Sequence, residues 1–414
     1  MNHATPARFL ASDEGAFTIL SQATEWLFPV PKRDRSARLL HQQLPLPHPG
    51  LRMSVIIPAK DEVANLPATL AALAAQVDLQ GQPLPAGSFE VIVLANNCTD
   101  HTADLVREQA GRFPHLALHV AELCLPAAQA HVGRARRLLM DEACARLELL
   151  GRRHGIIAST DADTRVAPTW LAAIEAEITA GADAVGGRIF TEMRGRALQR
   201  LRRIQTADAA YRLLCARLEG LLDPAPADPW PRHHQHFGAS LALTAQAYRQ
   251  VGGLPEVRFL EDEALCQALR QHDLKLRHSP AVQVLTSARR QGRVEVGLSW
   301  QLREWLHMSR QQREPQVENP VQLARRWQVR RQLRACWSNS PGAETAALVT
   351  RLGLPKAKLL KHLRQAPSFG KLWDWVLAHS PALAVAPVPL SQALLLLPRL
   401  IQSHVVAEGR ALAA

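Results

Sequence analysis

Among 414 residues there are only two tyrosines, five methionines and six cysteines, and aromatic side chains make up 5% of the chain. The cysteines (Cys98, Cys124, Cys144, Cys215, Cys266, Cys336) are scattered with no C-x-x-C or C-x-H spacing. That excludes a zinc finger and a disulfide scaffold and points to buried thiols in a reducing compartment. No 18-residue apolar run is present, so no segment is expected to cross a bilayer as a helix. The start of the chain lacks the basic-then-apolar profile of a secretory signal, and a cytoplasmic location is the expectation. With 22 Gly and 28 Pro there is no low-complexity or collagen-like bias.

What is present is an ordinary globular balance, 47% apolar and 21% charged, in a chain long enough for one large domain or two smaller ones. Charge is unusual in its placement. Lys+Arg number 49 against 37 Asp+Glu, a net +12; from Leu265 onward the counts are 22 and 8, which leaves the first 264 residues slightly acidic. Such a surplus suggests anionic partners: phosphates, a membrane surface or nucleic acid. Because no nucleic-acid module is recognisable, nucleic acid is not the expected partner.

Residues 1–50 read as an N-terminal extension ending in a proline-rich stretch. From Met53 the texture alternates: β-branched runs at 53–57, 89–94, 116–120, 155–159 and 182–188 read as strands, and helical spacing at 63–77, 102–111, 132–150 and 169–180 fills the gaps. This predicts an α/β domain over 51–298 with a mostly parallel sheet flanked by helices. From about 299 to 414 helical texture takes over, with tryptophans among many arginines, and a helical, basic C-terminal region is expected. Residues 375–398 carry no Asp, Glu, Lys or Arg, but Pro381, Pro387, Pro389 and Pro398 interrupt the stretch, so it suits packing against the core, an oligomer contact or at most a membrane interface rather than a span.

Ligands in such sheets bind beyond the carboxyl ends of the strands. There stand Pro58-Ala59-Lys60-Asp61-Glu62, Asn96-Asn97-Cys98-Thr99-Asp100 and Thr160-Asp161-Ala162-Asp163-Thr164. Two aspartates one residue apart after an apolar strand suit a divalent cation that prefers oxygen.

The ordered set of Ser54-Val55-Ile56-Ile57-Pro58-Ala59-Lys60-Asp61-Glu62, Asn96-Asn97-Cys98-Thr99-Asp100, Asp161-Ala162-Asp163 and Glu261-Asp262 resembles the inverting glycosyltransferases of family 2, with their GT-A fold. Gly133-Arg134-Ala135-Arg136-Arg137 and Val251-Gly252-Gly253-Leu254 extend the match, which covers roughly 53–300. The resemblance implies transfer of one sugar from a nucleotide-diphosphate sugar to an acceptor hydroxyl. It implies Pro58, Ala59 and Glu62 at the nucleoside, Asp100 shaping that pocket or capping the next helix, and Asp161 and Asp163 at the ribose and a Mg2+- or Mn2+-bound diphosphate. Asp262 would be the general base, with Glu261 its rival. His278 would stand where some related enzymes carry a third metal ligand.

Basic residues around this core fit the anionic donor. Arg134, Arg136 and Arg137 open a helix that the family uses in its nucleotide pocket, and the loop containing Arg289 and Arg290 could close over the diphosphate. Asn96 stands where many members carry an aspartate that reads uracil, so the donor base stays open. The Q-x-x-R-W signature of processive synthases is missing, which points to single-sugar transfer. The acceptor is unspecified, with an anionic or lipid-linked molecule and a peripheral contact at the inner face of the membrane through the C-terminal region as expectations. A GT-A shell that binds without catalysis, a basic nucleic-acid-binding protein and a nucleotidyltransferase are the rivals; the last is disfavoured because no Gly-rich phosphate loop follows the first strand.

Overall fold

The computed structural model describes residues 34–192, 199–288, 297–338 and 343–413. Its elements run α1 (Arg35–Gln42), β1 (Met53–Ala59), α2 (Leu66–Ala74), β2 (Phe89–Asn96), α3 (Thr102–Arg112), β3 (Ala117–Leu123), α4 (Val132–Leu149) and β4 (Ile156–Ser159). There follow β5 (Thr164–Val166), α5 (Trp170–Thr179), β6 (Ala184–Glu192), α6 (Gln199–Leu222), β7 (Leu241–Thr244), α7 (Ala245–Gln250), α8 (Glu261–Gln271) and β8 (Leu276–Ser287). The C-terminal part contributes α9 (Leu298–Arg310), β9 (Gln316–Glu318), α10 (Pro320–Ser338), α11 (Ala343–Leu352), α12 (Lys356–Gln365), α13 (Phe369–His379), β10 (Pro387–Pro389) and α14 (Leu390–Ala413).

Strands β1 to β8 form one sheet in the order β3-β2-β1-β4-β7-β6-β8-β5. The four strands β3-β2-β1-β4 run parallel, whereas β7 is antiparallel to both β4 and β6, and β5 is antiparallel to β8. In β1 only Pro58 is not fully buried; a central strand covered on both faces has no solvent side and so shows no alternation. One core, with Ile56, Ile92, Leu139 and Leu243, lies under α4 and α7; the other, with Val55, Val91, Leu70 and Trp170, lies under α2 and α5. This is the α/β, GT-A arrangement that the motif order implies, with a helical C-terminal part.

Not expected from the sequence are β5, β7, β8, α6 and α7: β5 and β7 are only three and four residues long, and β8 and α6 mix apolar with charged and polar residues. The C-terminal part is not wholly helical, because β9 and β10 pair antiparallel. Pro398 sits inside α14 rather than ending it. Among the described residues no helix is long and apolar enough to cross a membrane. Residues 34–50 of the expected extension pack on the domain, with Leu40 in the α4 core. Residues 1–33, and the Arg289 and Arg290 expected at the diphosphate, lie outside the described residues.

Candidate active site

The chain leaves β1 toward β2 and β3 on one side and returns as β4 on the other, and the loops after β1, β2 and β4 meet at this switch point. Asp61 takes a left-handed backbone (φ 50°) that turns its carboxylate onto the loop after β2. There its Oδ1 accepts from Thr99 N (2.6 Å), Thr99 Oγ1 (3.1 Å) and Asp100 N (3.3 Å). The Thr99 amide is the main cause holding the Asp61 carboxyl below its ordinary range. Asp100 accepts from the first amide of α3, Thr102 N (3.0 Å), and from Val63 N (3.2 Å). Glu62 is buried; its backbone N–H donates to Thr102 Oγ1 (2.8 Å) and its Oε2 accepts from Asn65 (2.7 Å). These acidic groups therefore tie the loops after β1 and β2 to each other and to the start of α3. Asn96, 5% exposed at the end of β2, has a buried Oδ1 with no hydrogen-bond partner.

Arg136 joins the two acidic motifs. From the first turns of α4, 3% exposed, it donates through Nε to Ser159 Oγ (3.1 Å), through Nη2 to Asp161 Oδ1 (2.7 Å) and through Nη1 to Glu261 Oε1. A turn at Gly238–Ser240 lies across the end of β4, held by Ser159 Oγ to Gly238 O (2.9 Å), Thr160 Oγ1 to Ala239 O (3.0 Å) and Trp170 Nε1 to Ser240 Oγ (3.0 Å). From this turn the Gly238 N–H donates to Asp262 Oδ2 (2.8 Å), while the Glu263 N–H donates to Asp262 Oδ1 (2.8 Å). A Cβ on residue 238 would lie 2.5 Å from Arg136 Cζ, so glycine is what lets the guanidinium pass. Asp262 thus stands at the first turn of α8 with its carboxylate oriented by two backbone amides.

Beside Asp262 runs a chain of side chains that the sequence did not reveal. Glu263 Oε2 meets His236 Nε2 (2.6 Å), His236 Nδ1 meets His278 Nε2 (3.2 Å), and His278 Nδ1 meets Asp228 Oδ2 (2.8 Å). With a carboxylate at each end, the outer ring nitrogens are assigned as the donors, and the inner His236–His278 contact is a hydrogen bond only when one of the two rings carries a second proton. Burial opposes ionisation of Asp228 and Glu263, but it is outweighed: His278 and Arg232 bring Asp228 to about 2, and His236 and Arg270 bring Glu263 to about 2. Burial lowers His278, partly offset by Asp228. Two neighbouring histidines are held neutral by desolvation, His233 and His234 both to about 3.

The structure brings together Asp161, Glu261 and Asp262, with Pro58 and Ala59 at the end of β1, Asn96 at the end of β2 and Asp100 on the loop that follows, all at the same sheet edge. It does not bring Arg134 there: its guanidinium donates to Asp34 (2.5 Å) and Glu256 (2.8 Å), which ties α1 and the 251–257 segment to α4. Arg137 likewise serves Asp141 (2.7 Å) and Leu254 O (2.6 Å). His278 faces Asp228 through Nδ1 and His236 through Nε2, away from the Asp161 carboxylate held by Arg136. Among the described residues the group of ligand atoms gathered within 4.8 Å is instead Asp61, Cys98 and Asp100, whose hydrogen bonds are those that close the β1 and β2 loops.

Residues 54–227 match the family model described as Glycosyl transferase family 2. No curated protein sequence matches the chain. Among solved structures, the chain is similar to the mannosyltransferase PcManGT from Pyrobaculum calidifontis in complex with GDP-Man and Mn2+, at 18% identity over 88% of this chain and 97% of that one, TM-score 0.40. It is similar also to S. aureus TarS 1-349 in complex with UDP-GlcNAc, at 16% identity over 79% and 90%, TM-score 0.40. A third is glucosyl-3-phosphoglycerate synthase from Mycobacterium tuberculosis with Mn2+, UDP and phosphoglyceric acid, at 16% identity over 67% and 89%, TM-score 0.35. Likenesses this loose place no individual residue. The family model covers the β1, β2 and β4 loops, and over residues 54–227 the chain is similar to glycosyl transferase family 2.

Proposed function

We propose that this protein transfers a single sugar from a nucleotide-diphosphate donor to an acceptor hydroxyl with inversion, using Asp262 as general base. The observation that carries the reading is the polar knot at the sheet edge: Arg136 joins Asp161 to Glu261, and the Gly238 amide orients Asp262 beside it. Inversion requires a base on one face of the sugar and neutralisation of the departing diphosphate on the other. Asp262 would accept the acceptor's proton at a carboxylate oxygen, while Glu261, spent on Arg136, holds the start of α8 in place.

The hard oxygen donors of Asp161 and Asp163, one residue apart, fit Mg2+ or Mn2+. When bound, that cation would stabilise charge on the leaving diphosphate. His278 could join it only by giving up His236. The unpartnered Oδ1 of Asn96 is suited to accept an N–H from the donor's base, which uracil and guanine both offer. Pro58, Ala59, Glu62 and Asp100 would form the walls of that pocket, and Arg289 and Arg290 stay proposed diphosphate contacts. The acceptor is proposed to be anionic or lipid-linked, met through a peripheral contact of the C-terminal region.

Asp262→Asn is expected to lower turnover by roughly 10²–10⁴-fold, the usual worth of a general base, with a small fall in melting temperature because its amide can accept only one of the two backbone N–H groups. Turnover at the wild-type rate would remove Asp262 from the mechanism. A thermal-shift panel of UDP-, GDP- and dTDP-sugars with and without Mn2+ should yield one metal-dependent stabiliser, worth about 2.7 kcal/mol at 100 times its Kd. No stabilisation by any pair would favour a shell that has lost donor binding.

A further inference from the structure

Only seven of the 49 Lys and Arg residues are lysines, and four of these, Lys356, Lys358, Lys361 and Lys371, fall within sixteen residues. Between 345 and 407 there are seven basic residues and one acidic residue, Asp374. Its carboxylate is occupied by the side-chain amides of Gln267 and Gln271, both at 2.7 Å. Helix α12 has no acidic residue in its first turn. Lys356 and Lys358 therefore sit against the positive end of the helix dipole. Lys358, Lys361 and Arg364 follow at spacings of three, neighbours on an exposed face opposite the buried Leu359 and Leu363. Cations in the first turn and like charges one turn apart both disfavour a helix. Local rules broken together mark a surface whose charge is compensated from outside.

The occupant follows from the residue types. Elsewhere this chain makes its fixed ion pairs with arginine: Arg136, Arg146 and Arg330 are examples. The planar guanidinium fork suits a carboxylate or phosphate in one fixed geometry, whereas the compact, mobile ammonium suits the diffuse field of many headgroups. Beside the face, Trp375 is stacked between His362 (3.7 Å between ring centroids, 19° between planes) and His379 (4.9 Å, 27°). Tryptophan favours the level of lipid headgroups.

We propose that the exposed face of α12, with Lys371 and the His362–Trp375–His379 stack, docks the protein on an anionic lipid surface, peripherally and without insertion. This deepens the peripheral contact named above, and its test reads binding separately from sugar transfer. The full chain is co-sedimented with phosphatidylcholine vesicles that either contain or lack phosphatidylserine. Binding is expected only to the anionic vesicles and should fall as salt is raised. The triple variant Lys358→Gln, Lys361→Gln, Arg364→Gln should bind on the order of 10²-fold more weakly, since each charge near the surface contributes about a factor of five. Its melting temperature, and its shift with Mn2+ and nucleotide, should match those of the parent. Lys361→Glu alone, a single exposed change, should weaken binding in the same direction. Equal binding to neutral vesicles, unchanged binding by both variants, or preference for an oligonucleotide over anionic vesicles would each overturn the proposal.

Discussion

Arg136 holds a guanidinium in a nearly closed site because Ser159, Asp161 and Glu261 together satisfy it; a charge this buried persists only when its partners are in place. Arg136→Ala leaves the Glu261 carboxylate, 4% exposed, without its partner. The expected cost is about 3–5 kcal/mol, read by urea denaturation. Arg136→Lys cannot reach three acceptors with one ammonium and should recover only part of it. The positions of Asp161 and Asp163 after an apolar strand and of Asp262 at a helix start were legible in the sequence, while their proposed roles came from the order of motifs that the resemblance supplied. The choice of Arg136 over Arg134 and Arg137 was not, because successive residues on a helix point about 100° apart and only the position of the partners decides which one faces the site.

The same scale carries a pH prediction. His233 donates from Nε2 to Ser279 O (3.0 Å) and accepts at Nδ1 from Gln235 N (3.0 Å), so both nitrogens are used by the neutral ring. With folded values of about 3 at His233 and His234 against an ordinary 6.5, the unfolded chain binds more protons between those limits. Stability is therefore fully present above about pH 6.5 and is lost as pH falls toward 3. The melting temperature should decline from pH 7.5 to pH 5, and His233→Gln should flatten the profile. A profile that is equally steep in that variant would place the sensitivity elsewhere.

Among elements, α8 is held at both ends: its first turn presents Glu261 and Asp262, and its last turn is clasped by α13. Asp273 accepts from Phe369 N (2.7 Å) and Gly370 N (2.8 Å), Ser368 Oγ donates to Gln271 O (2.5 Å), and Asp374 takes two glutamine amides. A Cβ on residue 370 would lie 1.9 Å from the Arg270 carbonyl oxygen, so Gly370→Ala must push α13 off α8. A loss of about 1–3 kcal/mol is expected in thermal or urea unfolding, as for other overpacked contacts. Unchanged stability would show that the helices separate freely. The strands β1, β2 and β4 were legible as apolar runs, whereas β8 was hidden. Its Arg277 and Ser279 are buried and polar because the 228–233 segment supplies their partners, Asp228, Pro229 O, Pro231 O and His233.

Across the whole molecule, the basic surplus downstream of Ala264 proves to be divided in use. Arg330 and Arg334 of α10 reach back to Asp223, whose side chain is fully buried, and Arg330 also meets Glu219 on α6 (2.7 Å). The lysines of α12 have no such acidic neighbour on their own helix. Tyr211, Leu218 and Leu222 of α6 are covered by Trp327 of α10 and by Leu390, Ala393 and Leu397 of α14. A chain ending at residue 298 would bare this face, strand Asp223 without its arginines and leave Glu219 with Arg232 alone. It is expected to be insoluble or markedly less stable than the full chain, by soluble yield and melting temperature; a soluble fragment melting like the full chain would show that the two parts fold independently.

By itself the sequence determined the α/β alternation, the polar sheet edge and the carboxylates offered there, because strand burial and strand-end polarity are written locally. Tertiary structure alone decided which arginine joins Asp161 to Glu261, that His278 is tied to Asp228 and His236, and that α13 clasps α8. The physical reason is that these pairings join segments distant along the chain, and their geometry exists only once the sheet has brought those segments together.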